Sequence, residues 1–267
     1  MFLALVGCGF VGSTYYDVLK EQHDIYVIDP AKNNNKISDH ETYDGIILCL
    51  PTPPDIDGSC DFSAIYDVMK DVANPHVPVL IKSTISIEAW RFLHENFANP
   101  FTFSPEFLRQ EHARRDLEEN KRVIFAGNCR NAGFWWEVYS ACDIFKRKQY
   151  SYISSAEEII IAKYAINSFL ATKVSWFNQL YDFCIDNELS YDTVRSAVCD
   201  DPRIGRSHSE VTKDRAWGGA CFPKDTAALV NFDKGFTIIE KCIKINNEYR
   251  KRYELDDRER EQNVNYG

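Results

Sequence analysis

The chain has 267 residues, 45% of them hydrophobic and 27% charged, and its 31 Lys and Arg against 40 Asp and Glu leave a formal net charge of −9. That length admits one large domain or two modest ones, and the composition excludes a wholly disordered or collagen-like chain. The negative balance argues against general nucleic-acid binding, and no apolar run approaches the length that spans a bilayer.

The opening Met1-Phe2-Leu3-Ala4-Leu5-Val6-Gly7 carries no basic leader and is interrupted early by Gly7. It reads as a first strand rather than an export signal, so the expected compartment is the cytoplasm. Further apolar runs at 25–28, 46–50, 77–81, 101–103 and 123–126 are rich in β-branched and aromatic residues, as strands buried on both faces are. The stretches between them predict helices over 11–21, 62–72, 87–96 and 132–142. Residues 31–42 are polar and Asn-rich, so the second crossover is expected to hold only a turn. This alternation predicts an α/β, Rossmann-type doubly wound sheet over residues 1–153.

The second half changes character. From 154 to 188 the pattern is helical without Pro or Gly, and Ser154-Ser155 before Glu157-Glu158 supplies a capping start. Its apolar residues lie on several sides, which predicts a long central helix buried by its own domain and by a partner subunit. A helix at 191–199, a Gly- and Pro-bearing loop at 200–223 and two more helices complete a helical domain over 154–253. The stretch 254–267 begins with a charged run and is expected to be a solvated tail. The nine cysteines show no close Cys/Cys or Cys/His pairing, so no metal site is expected and most should be buried free thiols.

Gly7-Cys8-Gly9-Phe10-Val11-Gly12 follows a strand, opens a helix, and is followed by Asp29 at the end of the second apolar run. That context is the dinucleotide-binding fingerprint. Gly7 permits the tight turn, Gly9 lets the backbone approach a pyrophosphate, and Gly12 lets helix and strand pack closely. Phe10 and Val11 begin the helix whose N-terminus faces the phosphates. Asp29 would accept from the ribose hydroxyls and repel a 2′-phosphate, favouring NAD over NADP. Later strands end in Pro51-Thr52-Pro53-Pro54, Ser83-Thr84 and Ser104-Pro105-Glu106, which together line the cofactor edge. Glu106 is either a general base toward water or a surface glutamate after a Pro turn.

Lys163 and Asn167 are spaced i, i+4 and share a helix face. A lysine in so apolar a stretch either snorkels to solvent, the more common outcome, or is buried near a functional site. Trp217-Gly218-Gly219-Ala220-Cys221-Phe222-Pro223-Lys224-Asp225 pairs two glycines, which allow a sharp backbone path, with a Pro suited to a first helical turn. Cys221 is therefore expected just before a helix N-terminus, a setting that favours the thiolate; the alternative is a structural thiol in a tight turn. The other eight cysteines read as structural.

At these residues the chain resembles the UDP-glucose/GDP-mannose dehydrogenase family. The resemblance rests on the glycine motif; Pro51-Thr52-Pro53 with Asp57-Gly58; Lys82-Ser83-Thr84-Ile85; Ser104-Pro105-Glu106-Phe107-Leu108-Arg109; Ala162-Lys163-Tyr164-Ala165-x-Asn167; Asp201-Pro202-Arg203-Ile204-Gly205; and the Gly218–Asp225 segment, in the family's order. It implies an NAD-dependent, four-electron oxidation of a nucleotide-sugar C6 alcohol to the carboxylate, of use in polysaccharide biosynthesis. By this resemblance Cys221 is the nucleophile of a thioester mechanism and Lys163 stabilises the developing oxyanion. Asn167, Thr84 and Asp225 hold the reacting oxygen or a water, and Glu106 assists hydrolysis. Pro51, Thr52, Ser83, Thr84 and Lys224 join the cofactor site, and Glu106, Phe107, Leu108, Gly218 and Gly219 join the sugar site. Arg203 meets the nucleotide sugar from a substrate-binding arm, across a homodimer interface along the long helix. The Asp-Pro-Arg-Ile-Gly form points to the UDP-glucose branch.

Three departures accompany the resemblance. Asn246-Asn247-Glu248 is followed by only about a helix's worth of residues, where relatives enter a third, nucleotide-binding domain, so part of that pocket is expected to be missing or supplied by another chain. Gln110-Glu111 stands where many relatives carry a second Glu. Ala216-Trp217 replaces the usual Gly-Phe before the two glycines. Two other readings stay open: a 3-hydroxyacid-type dehydrogenase performing a single oxidation without a Cys, and an inactive NAD-binding dimerisation module.

Overall fold

The structure is a computed structural model and describes residues 1–55, 59–109, 112–213, 215–219, 221–252, 254–255 and 259–260. The motif residues Asp57, Gly58, Gln110, Glu111 and Ala220 lie outside the described residues. The chain forms two compact units, Met1–Thr52 with Asp61–Ile161, and Pro53–Cys60 with Ala162–Gly267.

In the first unit the strands are β1 Phe2–Val6, β2 Asp24–Ile28, β3 Gly45–Leu48, β4 Val79–Ile81, β5 Phe101–Phe103, β6 Arg122–Gly127 and β7 Gln149–Ile153. The helices are α1 Phe10–Leu19, α2 Ser63–Lys70, α3 Ile87–Asn96, α4 Ala113–Glu119 and α5 Cys129–Ser140. Among the described residues the strands form one sheet in the order β2-β1-β3-β4-β5-β6-β7. Every pairing is parallel except β5 with β6. The crossover after β2 is reduced to a single 3-10 turn, Ile37–Asp39, as its Asn-rich sequence suggests.

The strands alternate between two covered faces. Leu3, Leu5, Ile47 and Leu80 join one core with Tyr15, Val18 and Leu19 of α1, Leu117 of α4, and Trp135, Val138 and Tyr139 of α5. Ala4, Ile46, Leu48, Val79 and Ile81 point the other way and are just as buried, as the period of two requires of a sheet with helices on both sides. Lys148 is also buried: its Nζ donates to the carbonyls of Leu117 (2.6 Å), Glu118 (3.1 Å) and Asn120 (2.5 Å), closing the C-terminus of α4.

α6 spans Ala156–Asp186, 31 residues, and the Ser155 hydroxyl accepts from the Glu158 N–H at its start. In the second unit it is followed by α7 Tyr191–Cys199, α8 Phe222–Phe232 and α9 Thr237–Arg250. Phe177, Cys184, Tyr191 and Cys199 form the core between α6 and α7. Arg215 is tied to α6 and α9: its guanidinium bonds Asn178 and Asp182 and lies over the Tyr181 and Tyr249 rings. Ile166, Phe169, Trp176 and Phe183 of α6 stay exposed, between 43% and 67%.

Two expectations need correction. The segment from Glu254 is not uniformly solvated, because Glu259 is fully buried. All nine cysteines are free thiols, but of the eight read as structural Cys129, at the start of α5, is exposed rather than packed. No described helix is long and apolar enough to cross a membrane.

Candidate active site

The strand order reverses on either side of β1, so the carboxyl ends of β1 and β3 mark the sheet's switch point, where ligands of open α/β sheets bind. The ladder continues past the strands and aligns the predicted clusters along this edge. Gly7 N–H donates to the Ile28 carbonyl (2.9 Å), Cys49 to Val6 (2.8 Å), Lys82 to Leu48 (2.9 Å) and Ser104 to Ile81 (3.0 Å).

The three motif glycines have different reasons to be glycine. Gly7 has φ +84°, and a Cβ there would lie 2.5 Å from the Cys49 carbonyl oxygen. At Gly12 a Cβ would lie 2.0 Å from the Gly7 carbonyl oxygen. Gly9 is the N-cap of α1, is exposed, and would place a Cβ in open space. Two glycines are thus demanded by packing, while the third stands in open space at a helix N-terminus, the setting in which backbone N–H groups bind phosphate. The flanking Phe10 and Val11 are half-buried. Asp29 braces the loop: its Oδ2 accepts from Cys8 N–H (2.6 Å) and its Oδ1 from Ala31 N–H (2.9 Å). A carboxylate has lone pairs beyond these two, so it can still accept from a ribose hydroxyl. The residues present therefore fit a dinucleotide.

Farther along the edge, Thr52 is buried and its hydroxyl donates to the Thr84 carbonyl (2.7 Å), while the Ser83 hydroxyl donates to the Leu50 carbonyl (2.8 Å). These bonds hold the two loops together; Pro51 is exposed and Thr84 half-buried. Glu106 is no surface residue. It is 8% exposed, and its Oε2 accepts from the Leu108 N–H at 2.5 Å, which curls the turn over Phe107 and buries Leu108. Arg109 continues the turn and anchors it by pairing with Asp116 of α4 (2.6 Å). Arg109 and its own N–H hold the Asp116 carboxyl below the usual range.

Lys82, a motif residue with no role assigned from the sequence, is 2% exposed. Its Nζ donates to the Ser104 hydroxyl (3.2 Å) and lies 4.3 Å from the centre of the Tyr15 ring. Burial pushes the neighbouring Cys49 thiol up to about 12, with Lys82 pulling against it and Glu106 and Cys8 adding to it. Burial, then Glu106 and Cys49, hold the Tyr15 hydroxyl well above its ordinary value. Neither group is a nucleophile at neutral pH. The signal for Lys82 was a lysine directly after the unbroken apolar run Val79-Leu80-Ile81.

The second unit gathers the other predicted side chains. Lys163 does not snorkel: it is 4% exposed, one turn before Asn167 on α6. Asn167, also buried, donates from Nδ2 to Asp225 Oδ2 at 2.5 Å. Asp225 is 1% exposed, and its Oδ1 lies 2.9 Å from Lys224 Nζ. Burial alone would lower the Lys224 ammonium, but Asp225 beside it, with Cys60 and Cys221, raises it on balance. Lys224 is therefore a buried, charged partner of Asp225. Cys221 is half-buried at the N-cap of α8, with Pro223 in the first turn. The structure thus joins Asn167, Asp225 and Lys224, and sets Cys221 within electrostatic reach of that ammonium.

Gly218 and Gly219 are half-buried; Gly219 has φ +73°, which favours glycine, and its N–H donates to Glu259 Oε1 (3.0 Å). Arg203 is 87% exposed at its side chain and forms a bidentate pair with Asp201. Lys173 of α6 holds this arm through the carbonyls of Ile204 (2.7 Å) and Gly205 (3.0 Å).

Comparison with known proteins bears on both units. Residues 155–248 match the central domain of the UDP-glucose/GDP-mannose dehydrogenase family. UDP-glucose 6-dehydrogenase YwqF of Bacillus subtilis (strain 168) is 32% identical over 221 residues, 76% of this chain and 48% of that protein. UDP-glucose 6-dehydrogenase of Streptococcus pneumoniae is 27% identical over 269 residues, 86% of this chain and 68% of that one. A UDP-glucose dehydrogenase structure from the archaeon Pyrobaculum islandicum superposes with a TM-score of 0.80 at 24% identity, over 94% of this chain and 69% of that one. The chain spans about half the length of YwqF.

Proposed function

We propose that this chain, which carries the central domain of the UDP-glucose/GDP-mannose dehydrogenase family, is an NAD-dependent nucleotide-sugar 6-dehydrogenase that converts UDP-glucose to the uronate. The observation that carries the proposal is the buried Asn167–Asp225–Lys224 group beside a half-buried thiol at a helix N-cap. A buried ion pair is costly to desolvate, and its retention next to a nucleophile is what a catalytic constellation requires.

The first unit is the cofactor domain, with Gly9 leaving the pyrophosphate its approach, Gly7 and Gly12 packing the loop that receives it, α1 supplying its N-terminus, and Asp29 taking the ribose hydroxyls. Pro51, Thr52, Ser83 and Thr84 shape the rest of that edge. When bound, NAD accepts hydride, twice per turnover. The second unit holds substrate. Loss of the C6 hydroxyl proton to water and of a first hydride to NAD would leave the aldehyde, with Lys163 and Asn167 stabilising the C6 oxygen then and later, when it carries negative charge. The Cys221 thiolate adds to the aldehyde carbon to give a thiohemiacetal, and loss of the second hydride leaves a thioester. Water attacks the thioester carbon, its proton going to a base, and Cys221 leaves as thiolate. Asp225 orients that water. Gly218 and Gly219 contact the sugar. Such chemistry suits the cytoplasm, where a catalytic thiol stays reduced.

The exposed Ile166, Phe169, Trp176 and Phe183 recur along one side of α6, and a second copy of the chain covers them, bringing Arg203 to its partner's nucleotide. Light scattering of the wild type and of Phe169→Glu tests this arrangement; a monomeric wild type refutes it. The activity itself is tested by following absorbance of NADH while UDP- and GDP-sugars are supplied with NAD. NADH from UDP-glucose supports the proposal, and none from any nucleotide sugar overturns it.

A further inference from the structure

Glu259 lies in the charged segment after α9, yet it is 0% exposed. Its Oε1 accepts from the Gly219 N–H at 3.0 Å, and its Oε2 takes the guanidinium of Arg250, the last residue of α9, at 2.5 Å. The Arg250 side chain is itself only 10% exposed. A carboxylate is driven from water only where cation and N–H donors replace its hydration, and both are present here. The same helix grips the loop two residues earlier. Asn246, 1% exposed, accepts from the Trp217 N–H (2.8 Å) and donates to the Trp217 carbonyl (2.9 Å). The loop is therefore fixed at Trp217 and again at Gly219, where φ is +73°. Cys221 stands two residues beyond Gly219 in the sequence, and its carbonyl accepts the Asp225 N–H at the start of α8 (2.9 Å).

We infer that Glu259 is a positioning residue for the nucleophile: held by Arg250, its carboxylate sets the Gly219 peptide and so the approach path of Cys221. The inference rests on the dehydrogenase reading for the role of Cys221, but not for the latch itself. Without the second anchor, Gly218 and Gly219 would leave the thiol's backbone free to swing, since glycine restricts φ and ψ least. Small misplacement of a reacting group lowers turnover more than ground-state binding.

The test uses the full chain with Glu259→Ala and Glu259→Gln. Three quantities are measured: amide hydrogen exchange of the peptide bearing Gly219, iodoacetamide labelling of Cys221, and kcat and KM with UDP-glucose and NAD. Glu259→Ala is expected to speed Gly219 exchange about tenfold and Cys221 labelling about threefold, and to lower kcat about tenfold with KM for NAD unchanged. Glu259→Gln keeps an acceptor for Gly219 and is expected to restore protection and most of kcat. Should the alanine variant not fold, Glu259→Asp withdraws the acceptor while keeping the charge on Arg250, and must show the same rise in exchange. Exchange and labelling unaltered in these variants would overturn the inference. So would a rise in kcat, which would make Glu259 an occluding group. The exchange and labelling arms need no turnover, so they decide the latch even if no nucleotide sugar is oxidised.

Discussion

The three motif glycines separate packing from ligand approach, and alanine at each gives a distinct outcome. At Gly12 the new Cβ would sit 2.0 Å from the Gly7 carbonyl oxygen and 3.4 Å from the Cys49 Cβ. The first contact is backbone on backbone, so α1 must shift off the sheet. Overpacking of this kind costs about 1–3 kcal/mol. For a chain of this size each kcal/mol moves Tm by about 2–4 °C, giving a fall of about 2–12 °C. Gly7→Ala adds a left-handed backbone to a 2.5 Å contact and should fall at least as far. Gly9→Ala differs: its φ of −69° and ψ of −157° suit any residue, and the methyl group meets nothing within 4 Å. Its folding stability should change by at most about 1 kcal/mol. The methyl group would nonetheless stand where the pyrophosphate must approach, so NADH affinity should fall at least about tenfold, or ~1.4 kcal/mol. Calorimetry and NADH fluorescence titration measure the two effects. A Gly9→Ala protein that binds NADH like wild type would refute the cradle, and a Gly12→Ala protein that melts like wild type would refute the packing argument.

Asp225→Ala strands the buried Lys224 ammonium and the Asn167 amide, and should cost about 3 kcal/mol in denaturant unfolding; a loss below about 1 kcal/mol would show that the pair is not structurally coupled. Lys148→Met removes the donor shared by three carbonyls at the end of α4 and should cost about 1–3 kcal/mol, with unchanged stability as the contrary result. Burial holds the His94 imidazole, packed 4.2 Å from Trp90, below its ordinary 6.5, so the unfolded chain takes up the proton first. Stability is then full above pH 6.5 and falls as pH drops through that value toward the lower folded pKa. His94→Gln should flatten that part of a stability–pH curve, and an unaltered curve would exclude His94 as its source.

Much of this architecture is legible in the sequence because the signals are local. The glycine loop, the apolar strands and the uninterrupted helix from 154 each depend on near neighbours. What was missed depends on distant ones. β7, Gln149–Ile153, has partly exposed polar positions and gains its definition only by pairing with β6. α4 is short and charged, with Ala113 and Leu117 as its buried residues and Arg114–Glu118 and Arg115–Glu119 pairs on its surface. The reversal between β5 and β6 leaves no mark in composition. At the candidate site, the residue types and the i, i+4 spacing of Lys163 and Asn167 could be read directly. Whether Lys163 is buried could not, since α6 is apolar on several sides. Glu259 was unreadable for a stronger reason: a glutamate in a charged run carries no sign that Arg250 and Gly219 will take it out of water.

The central claim, that Cys221 carries the second oxidation through a thioester, is tested most directly by counting NADH released per UDP-glucose consumed, in wild type and in Cys221→Ser. Two NADH and a uronate are expected from wild type, and no net acid from Cys221→Ser while NADH binding persists. One NADH per sugar, or acid formed by Cys221→Ser at the wild-type rate, would contradict it.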